Sequence, residues 1–237
     1  MASASPSSSI PSIEDLLDQF INGTVRKRKG LIPSLEKRAE EISKLGLNAL
    51  TAFDPKGDDW AAGFLLQLIN RFSPKVLSED SSSDLKGWFL TSSEVEIDYS
   101  PLQNELLREN FEEADRFTSA ILRELAGKAA VDRGYIYFSE VDSIPGEDLI
   151  TIDRLWKAYS QGKFGFSRQS SLLKSLDGIY ERLWLRIGWK KDGVWTRYPS
   201  AFTWSMQAPD GHMPLVNQLR GVRLMHAILN HPALADR

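Results

Sequence analysis

Apolar side chains recur every three or four residues along most of this 237-residue chain, which is the spacing that one face of an α-helix requires. The pattern is clear in residues 60–72, 111–125 and 149–159. Residues 135–141 have the composition of a strand, but no other segment is an obvious partner, so we predict a loop or a short helical turn there. The predicted fold class is therefore all-α.

Residues that start helices divide this pattern into short elements. Ser12 is placed to cap a first helix, and Pro33 is placed to open a second one in its first turn. Ser167 and Asp177 are candidate caps of two later helices, and Pro214 is predicted to begin the last long helix. The expected architecture is a small N-terminal bundle followed by a larger helical core.

A polar, low-complexity run, Ser-Glu-Asp-Ser-Ser-Ser at 78–83, marks a change in organisation. We predict a disordered tail at 1–12, an N-terminal helical bundle at 13–77, a linker at 78–97 and a core domain at 98–237. Packing between amphipathic helices explains nearly every residue of the bundle. We therefore look for function in the core domain.

Composition and motifs exclude several classes of protein. The chain contains no cysteine, so disulfides, thiolate nucleophiles and cysteine-ligated zinc are ruled out. No apolar run approaches the ~18 residues of a membrane span, and residues 1–9 lack the pattern of a secretory signal. Phosphate-binding glycine loops and nucleophile elbows are absent, and the three histidines lack metal-site spacing. We predict a protein that is not an enzyme and has no metal site or catalytic cofactor.

The net charge of −3 conceals an uneven distribution. Residues 86–150 carry 6 basic and 14 acidic side chains, whereas residues 151–237 carry 13 basic and 6 acidic ones. The interval from Trp156 to Trp204 also holds 11 of the 24 aromatic residues. One interpretation is a large aromatic core with arginines at its edge. The other is a binding surface in the basic, aromatic final third.

The irregular stretch from Trp189 to Met213 is unusually long for a connection inside a compact helical domain. It is too apolar to stay solvated, so it is either a mobile lid or a packed loop. In the helix that follows, Asn217, Arg220 and Arg223 are spaced to lie along one side. Those arginines either pair with the acidic segment or receive an anionic ligand.

Together, an apolar and aromatic surface beside arginines suits a large, flat, apolar molecule with carboxylates at one edge. Guanidinium groups bind carboxylates in bidentate geometry, and Arg197 is placed to add a third one. A tetrapyrrole fits this description. An acidic helix or a stacked nucleic-acid strand fits it too.

Several long motifs in the same order resemble the genomes-uncoupled-four family, whose members are tetrapyrrole-binding regulators of magnesium chelatase. The resemblance spans roughly residues 98–234 and is carried by the motifs KFGFSRQ (163–169), LRIGWK (185–190), WTRYPSAFTW (195–204) and APDGHMPLVNQLRG (208–221). The N-terminal helices are similar to those of cyanobacterial members. The family implies an all-helical core shaped like a cupped hand, with long flexible loops over the ligand.

The resemblance also implies a set of ligand-binding residues and a function. One set of side chains is expected to make apolar contacts with the ligand: Val131, Phe138, Ile187, Trp189, Tyr198, Phe202 and Met213. A second set is expected to bind the propionates: Asn217, Arg220 and Arg223, joined by Arg197. The implied ligands are protoporphyrin IX and magnesium protoporphyrin IX. The implied role is stimulation of magnesium chelatase in chlorophyll biosynthesis, through the large porphyrin-binding subunit of that enzyme.

The expected protein is a monomer in the cytoplasm of a cyanobacterium or the stroma of a plastid, partly associated with a membrane through its partner, and it does not bind nucleic acid. Two alternatives remain. One is a helical haem-binding protein in which His212 ligates the iron. The other is a single-stranded nucleic-acid module that uses the basic aromatic third.

Overall fold

The computed structural model describes residues 11–74, 87–216, 222–235 and 237. The first described part contains four α-helices and one 3₁₀ segment: α1 (Ile13–Ile21), α2 (Val25–Lys37), α3 (Ala39–Leu45), the 3₁₀ segment Gly46–Leu50, and α4 (Trp60–Phe72). The predictions for residues 1–10 and 75–86, which include most of the predicted tail and part of the predicted linker, lie outside the described residues.

Side-chain caps start the N-terminal helices. The Ser12 hydroxyl accepts a hydrogen bond from the Asp15 amide at 3.0 Å, which confirms the predicted start of α1. The prediction that Pro33 opens the second helix is wrong, because α2 begins at Val25 with the Thr24 hydroxyl as its cap. Arg28 then anchors the first turn of α2 by donating to both carboxylate oxygens of Asp59. A tertiary contact therefore helps to place this helix.

The remaining elements build the larger part of the molecule: α5 (Ser100–Leu107), α6 (Phe111–Leu125), α7 (Lys128–Arg133), the 3₁₀ segment Phe138–Ser143, α8 (Gly146–Ala158), α9 (Phe166–Ser175), α10 (Tyr180–Arg186), β1 (Lys190–Lys191), β2 (Val194–Trp195), α11 (Val222–Leu229) and the 3₁₀ segment Pro232–Leu234. The two short strands form an antiparallel hairpin in which Lys190 pairs with Trp195. This hairpin lies within the stretch predicted to be irregular. The predicted all-α class is confirmed, with the hairpin as its described β-structure.

Two predicted caps and one predicted helix start are wrong. Ser167 lies inside α9, whose first turn is capped from α8, since the Asp153 carboxylate accepts from the Ser167 amide at 2.8 Å. Ile179, and not Asp177, precedes α10. Pro214 and the two residues after it are not helical, and the described part of the last helix begins at Val222. At α9, the start of the helix is thus decided by a contact from a different helix.

Helix α4 packs directly against α8 and α5. Gln67 on α4 donates to the backbone oxygens of Leu106 at 3.0 Å and Tyr159 at 2.9 Å. Phe89, from the segment predicted to be a linker, is buried with its ring 5.3 Å from that of Tyr159. The N-terminal helices thus share an apolar core with the rest of the chain. The boundaries of the predicted domains stay a prediction.

The contact between α6 and α8 contains a buried hydrogen bond. The Trp156 indole N–H donates to the Thr118 hydroxyl at 2.9 Å, and that hydroxyl donates to the Ala114 carbonyl. Phe111 stacks on Trp156 beside this bond. Because the site is closed to water, the indole N–H depends on Thr118 as its partner.

We expect Thr118→Val to lower the free energy of unfolding by about 2 kcal/mol, because it leaves the Trp156 N–H buried and without an acceptor. Urea denaturation measures this directly. Thr51→Val is the matched control, since Thr51 is exposed and its hydroxyl bonds only the nearby Asn48 carbonyl. A loss no larger than that of the control would contradict the importance of the buried bond.

Candidate functional site

A cavity of about 950 Å³ opens between α6, the segment after α7, the β-hairpin and α11. Its volume lies at the upper end of the roughly 300–1,000 Å³ of pockets that bury small organic ligands. The lining residues come from five separate stretches of the chain and are mostly apolar: Arg116, Ser119, Leu122, Arg123, Gly134, Tyr135, Ile136, Val194, Trp195, Thr196, Arg197, Tyr198, Leu215, Val216, Leu224 and Ile228.

The walls are formed by helices, by the β-hairpin and by loop segments. On α6, Leu122 is buried and turns towards the cavity, and on α11 Leu224 and Ile228 do the same. On the loop side, Trp195 packs on Trp184 with ring centroids 4.7 Å apart, which holds β2 against α10. The cavity therefore has helical walls on two sides and a wall made of hairpin and loop on another.

The charged side chains of the cavity all have the same sign. Arg116, Arg123 and Arg197 line it, and none of the described lining residues is acidic. Arg116 pairs with Glu112 at 3.0 Å and Glu113 at 3.3 Å, but these exposed pairs are weak. Within the described residues, Arg123 and Arg197 form no ion pair. Chemically, the cavity suits an apolar molecule that carries anionic groups.

One buried carboxylate joins α6 to the loop wall. Asp115 accepts a hydrogen bond from the Leu215 amide at 2.6 Å and another from the Tyr198 hydroxyl at 3.3 Å. Burial raises the pKa of Asp115 to about 7. Burial and the neighbouring Asp115 also raise the pKa of Tyr198 to about 12, so its phenol stays protonated and continues to donate.

The structure brings some of the predicted ligand-binding residues to the cavity. Arg197 and Tyr198 line it. Phe138 is exposed, and the Arg223 guanidinium lies over its ring at 5.4 Å from the centroid. Val131 is exposed on α7 and is absent from the described lining.

Other predicted residues lie elsewhere. Ile187, Trp189 and Met213 are buried in the protein core, and Phe202 is nearly so, and these four do not line the cavity in this structure. Trp189, for example, donates its indole N–H to the His212 carbonyl at 2.7 Å. Asn217 and Arg220 lie outside the described residues. Ligand contacts by this whole set stay a prediction.

The lining residues of α6 were not predicted from the sequence. Arg116, Ser119 and Arg123 occupy one side of that helix at spacings of three and four residues. The signal for this site in the sequence is a stripe of two arginines and a small residue on α6, next to the apolar face of the helix. The segment is acidic as a whole, and its net charge does not show that these arginines share one side of the helix.

A second cavity of about 740 Å³ lies on the other side of the hairpin and contains His212 among its lining residues. Burial lowers the pKa of His212, and its Nδ1–H donates to the Ile187 carbonyl at 2.6 Å. Its ring is therefore neutral and is held among protein groups, beside Phe202. No histidine is found among the described residues that line the larger cavity, and that cavity consequently offers no histidine ligand for haem iron.

Within the described residues, no group of three or more histidine, aspartate or glutamate side chains is placed to hold a metal ion. In the same ranges, every helix is too short or too polar to cross a bilayer.

A family model of GUN4-like proteins matches residues 92–232, which is more than half of the chain and includes every stretch that lines the larger cavity. The chain belongs to the GUN4-like family. This membership confirms the family resemblance of the sequence motifs and the predicted fold class. It also confirms the prediction of a binding protein and not an enzyme.

Relatives in this family come from cyanobacteria and from plastid-containing organisms. A Ycf53-like protein of Synechocystis sp. is 48% identical over 223 residues, which are 93% of this chain and 96% of that protein. A protein of Arabidopsis thaliana, named a chloroplastic tetrapyrrole-binding protein, is 38% identical over 146 residues, which are 58% of this chain and 55% of that protein.

Solved GUN4 structures share the fold. GUN4 from Chlamydomonas reinhardtii aligns with a TM-score of 0.58 at 40% identity, covering 61% of this chain and 95% of that one. Ligand-free GUN4 of Arabidopsis thaliana aligns with a TM-score of 0.55 at 38% identity, covering 61% of this chain and 99% of that one. The shared part corresponds in extent to the family region of this GUN4-like chain.

Proposed function

We propose that this GUN4-like protein binds tetrapyrroles, specifically protoporphyrin IX and magnesium protoporphyrin IX, in the 950 Å³ cavity. The observation that carries the proposal is a large apolar cavity in which all the described charged lining residues are arginines. A porphyrin presents two wide apolar faces and a pair of propionates at one edge. The naming of the Arabidopsis relative as a tetrapyrrole-binding protein supports the same ligand class.

Each part of the cavity has a role in this proposal. Removal of apolar surface from water contributes about 25 cal/mol per Å², so two porphyrin faces against Leu122, Trp195 and Ile228 supply most of the affinity. Arginine forks bind the propionates and set the orientation of the ring. Arg123 is the prime candidate in the described structure, because it is half-buried and has no described acidic partner.

The propionate site derived from the sequence is part of the proposal. Asn217, Arg220 and Arg223 are proposed to receive propionates, with Arg223 already next to Phe138 beside the cavity. Arg197 is proposed to close the site from the loop side. Val131 on α7 and Ile187 at the end of α10 are proposed as further apolar contacts. Trp189, Phe202 and Met213 are proposed to join them when the long loop rearranges.

The biological role proposed for the complex is stimulation of magnesium chelatase. The protein would present porphyrin to the large porphyrin-binding subunit of the enzyme while one edge of the bound ring stays accessible. It would act as a monomer in the cytoplasm of a cyanobacterium or in a plastid stroma, and at a membrane only through its partner. Cyanobacterial and chloroplastic relatives support this setting.

Porphyrin titration tests the proposal. We expect saturable changes of protein and porphyrin fluorescence with both protoporphyrin IX and magnesium protoporphyrin IX, at low-micromolar affinity or tighter. Ferric haem and single-stranded DNA at low salt are the comparison ligands. Tight haem binding that depends on His212, or salt-dependent DNA binding without porphyrin binding, would favour the alternative functions. A chelatase assay with and without the loaded protein tests stimulation.

We expect Arg123→Gln to weaken porphyrin binding about tenfold, because a charge-assisted bidentate contact becomes at most a neutral one. The measurement is the same titration. Arg182→Gln is the matched control, since Arg182 is exposed, pairs with Asp177 and is not a lining residue. The double variant Arg220→Ala, Arg223→Ala tests the other propionate site, and an unchanged affinity there would contradict that assignment.

A further inference from the structure

Asp115 is a fully buried carboxylate between helix α6 and the loop wall of the cavity. It lies on the same turn of α6 as Arg116, but its side chain points into the protein and does not line the cavity. Burying a carboxylate without a cationic partner is costly. Within the described structure, Asp115 forms no ion pair, and its described side-chain partners are two neutral donors of the loop.

The two partners of Asp115 are far apart in sequence and both line the cavity. One oxygen accepts from the Leu215 amide at 2.6 Å, and the other accepts from the Tyr198 hydroxyl at 3.3 Å. Tyr198 lies shortly after β2, and Leu215 lies just after the loop that ends at Met213. A single side chain therefore connects both of these lining segments to α6.

We propose that Asp115 is a positioning residue, which holds the Tyr198 and Leu215 wall against α6 and thereby sets how fast a ligand enters and leaves the cavity. The proposal rests on the proposed function, since the cavity is taken to be the ligand site. Asp115 itself does not touch the ligand. Asp115 determines how long the loop wall stays in place against α6. It therefore changes the dissociation rate of the ligand more than the contacts that recognise the ligand.

The strength of this connection depends on the charge of Asp115. An ionised carboxylate accepts shorter and stronger hydrogen bonds than a protonated one. Glu112 on α6 further raises the pKa of Asp115, while the two donors of the loop lower it. Arg116 on α6 and Tyr198 on the loop are the other titratable groups beside it, and neither changes charge between pH 6 and pH 8. Since burial brings the pKa of Asp115 to about 7, the wall is held more tightly at pH 8 than at pH 6.

The test compares the wild type with Asp115→Asn, a neutral side chain of the same shape. Stopped-flow displacement of protoporphyrin IX gives the dissociation rate at pH 6, 7 and 8. We expect the wild type to release porphyrin roughly fivefold to tenfold faster at pH 6 than at pH 8, as a charge-assisted bond becomes a neutral one. Asp115→Asn is expected to release it fast at all three values. The propionates of the porphyrin ionise in the same way in both experiments, so their effect on the dissociation rate cancels when the wild type is compared with Asp115→Asn.

A second variant and a second measurement separate positioning from folding. Tyr198→Phe removes one of the two bonds and leaves the other, so an intermediate dissociation rate is expected. In the protein without ligand, exchange of the Leu215 amide hydrogen, followed by NMR, is expected to be faster in Asp115→Asn than in the wild type at the same pH.

Each result has a definite meaning. Equal Leu215 exchange and an equal, equally pH-dependent dissociation rate in wild type and Asp115→Asn would overturn the proposal. Failure of the wild type to bind porphyrin would overturn the proposed function, but faster Leu215 exchange in Asp115→Asn would still support the role of Asp115 in holding the wall.

Discussion

Ser119→Trp is expected to weaken porphyrin binding by at least ~100-fold, which is about 2.7 kcal/mol of binding free energy. Ser119 lies on α6 between the two arginines of that helix and faces the cavity. An indole at this position occupies the space that a macrocycle needs and covers the apolar wall that would bury its face. Since Ser119 is only partly buried and the cavity is open, the larger side chain fits without strain in the core.

The control for this variant is its neighbour in sequence. Ala120 is exposed on α6 and is not one of the residues that line the cavity, so Ala120→Trp adds the same side chain to the same helix outside the described lining. Fluorescence titration with protoporphyrin IX measures both variants, and thermal unfolding confirms that both are folded. If Ser119→Trp binds as tightly as Ala120→Trp, the ligand lies elsewhere and the proposed function loses its site. Stimulation of magnesium chelatase is expected to disappear with porphyrin binding.

Gly63→Ala is expected to produce the largest loss of stability, about 3 kcal/mol. A Cβ at this position of α4 would lie 2.1 Å from the Ala158 carbonyl oxygen and 3.2 Å from the Tyr159 nitrogen. Both neighbours are backbone atoms, so α4 must move away from α8 to accommodate one methyl group. That movement also stretches the hydrogen bonds of Gln67 to the carbonyls of Leu106 and Tyr159.

Gly30→Ala is the matched control, since it makes the same change within a helix. Gly30 lies in α2, and a Cβ there meets no atom within 4 Å. Alanine is therefore expected to stabilise the protein by about 0.5–1 kcal/mol, because it lowers the entropy of the unfolded chain and favours the helix. Urea denaturation measures both variants. A Gly63→Ala protein as stable as the wild type would contradict the close packing of the N-terminal helices on the core.

The interior of the helices could be predicted well, and their ends less well. Periodic apolar residues define the buried face of α6 independently of any other part of the chain, whereas every residue of α4 from Trp60 to Ile69 is buried. Ser12 caps α1 through a bond to a residue three positions away, so local sequence is sufficient there. The first turn of α9 is instead capped by Asp153 from a different helix, which spacing in the sequence does not reveal. The helix start predicted at Pro33 is wrong, because α2 already begins after Thr24 and is held there by the contact of Arg28 with Asp59.

The sequence predicted the kind of candidate site, but only some of the residues that line it. The combination of an aromatic loop with arginines indicated an apolar anion as ligand, and Arg197 and Tyr198 do line the cavity. Arg123 was missed because its helix belongs to an acidic stretch, and net charge along a segment does not show which side of the helix faces a cavity. The family resemblance implied Trp189 and Met213 as contacts; both are buried in the core of this structure, and their contact with a ligand stays a prediction.

Local sequence was therefore enough for the helical class and the family, because periodicity, capping and motifs depend on residues close together in the chain. The composition of the cavity wall was decided by tertiary structure, because it depends on how far each element rotates when it packs. Asp115 illustrates the difference. In the sequence it is one acid among many, and only the folded chain places it against Tyr198 and Leu215, where burial changes its pKa and its hydrogen bonds hold the loop wall.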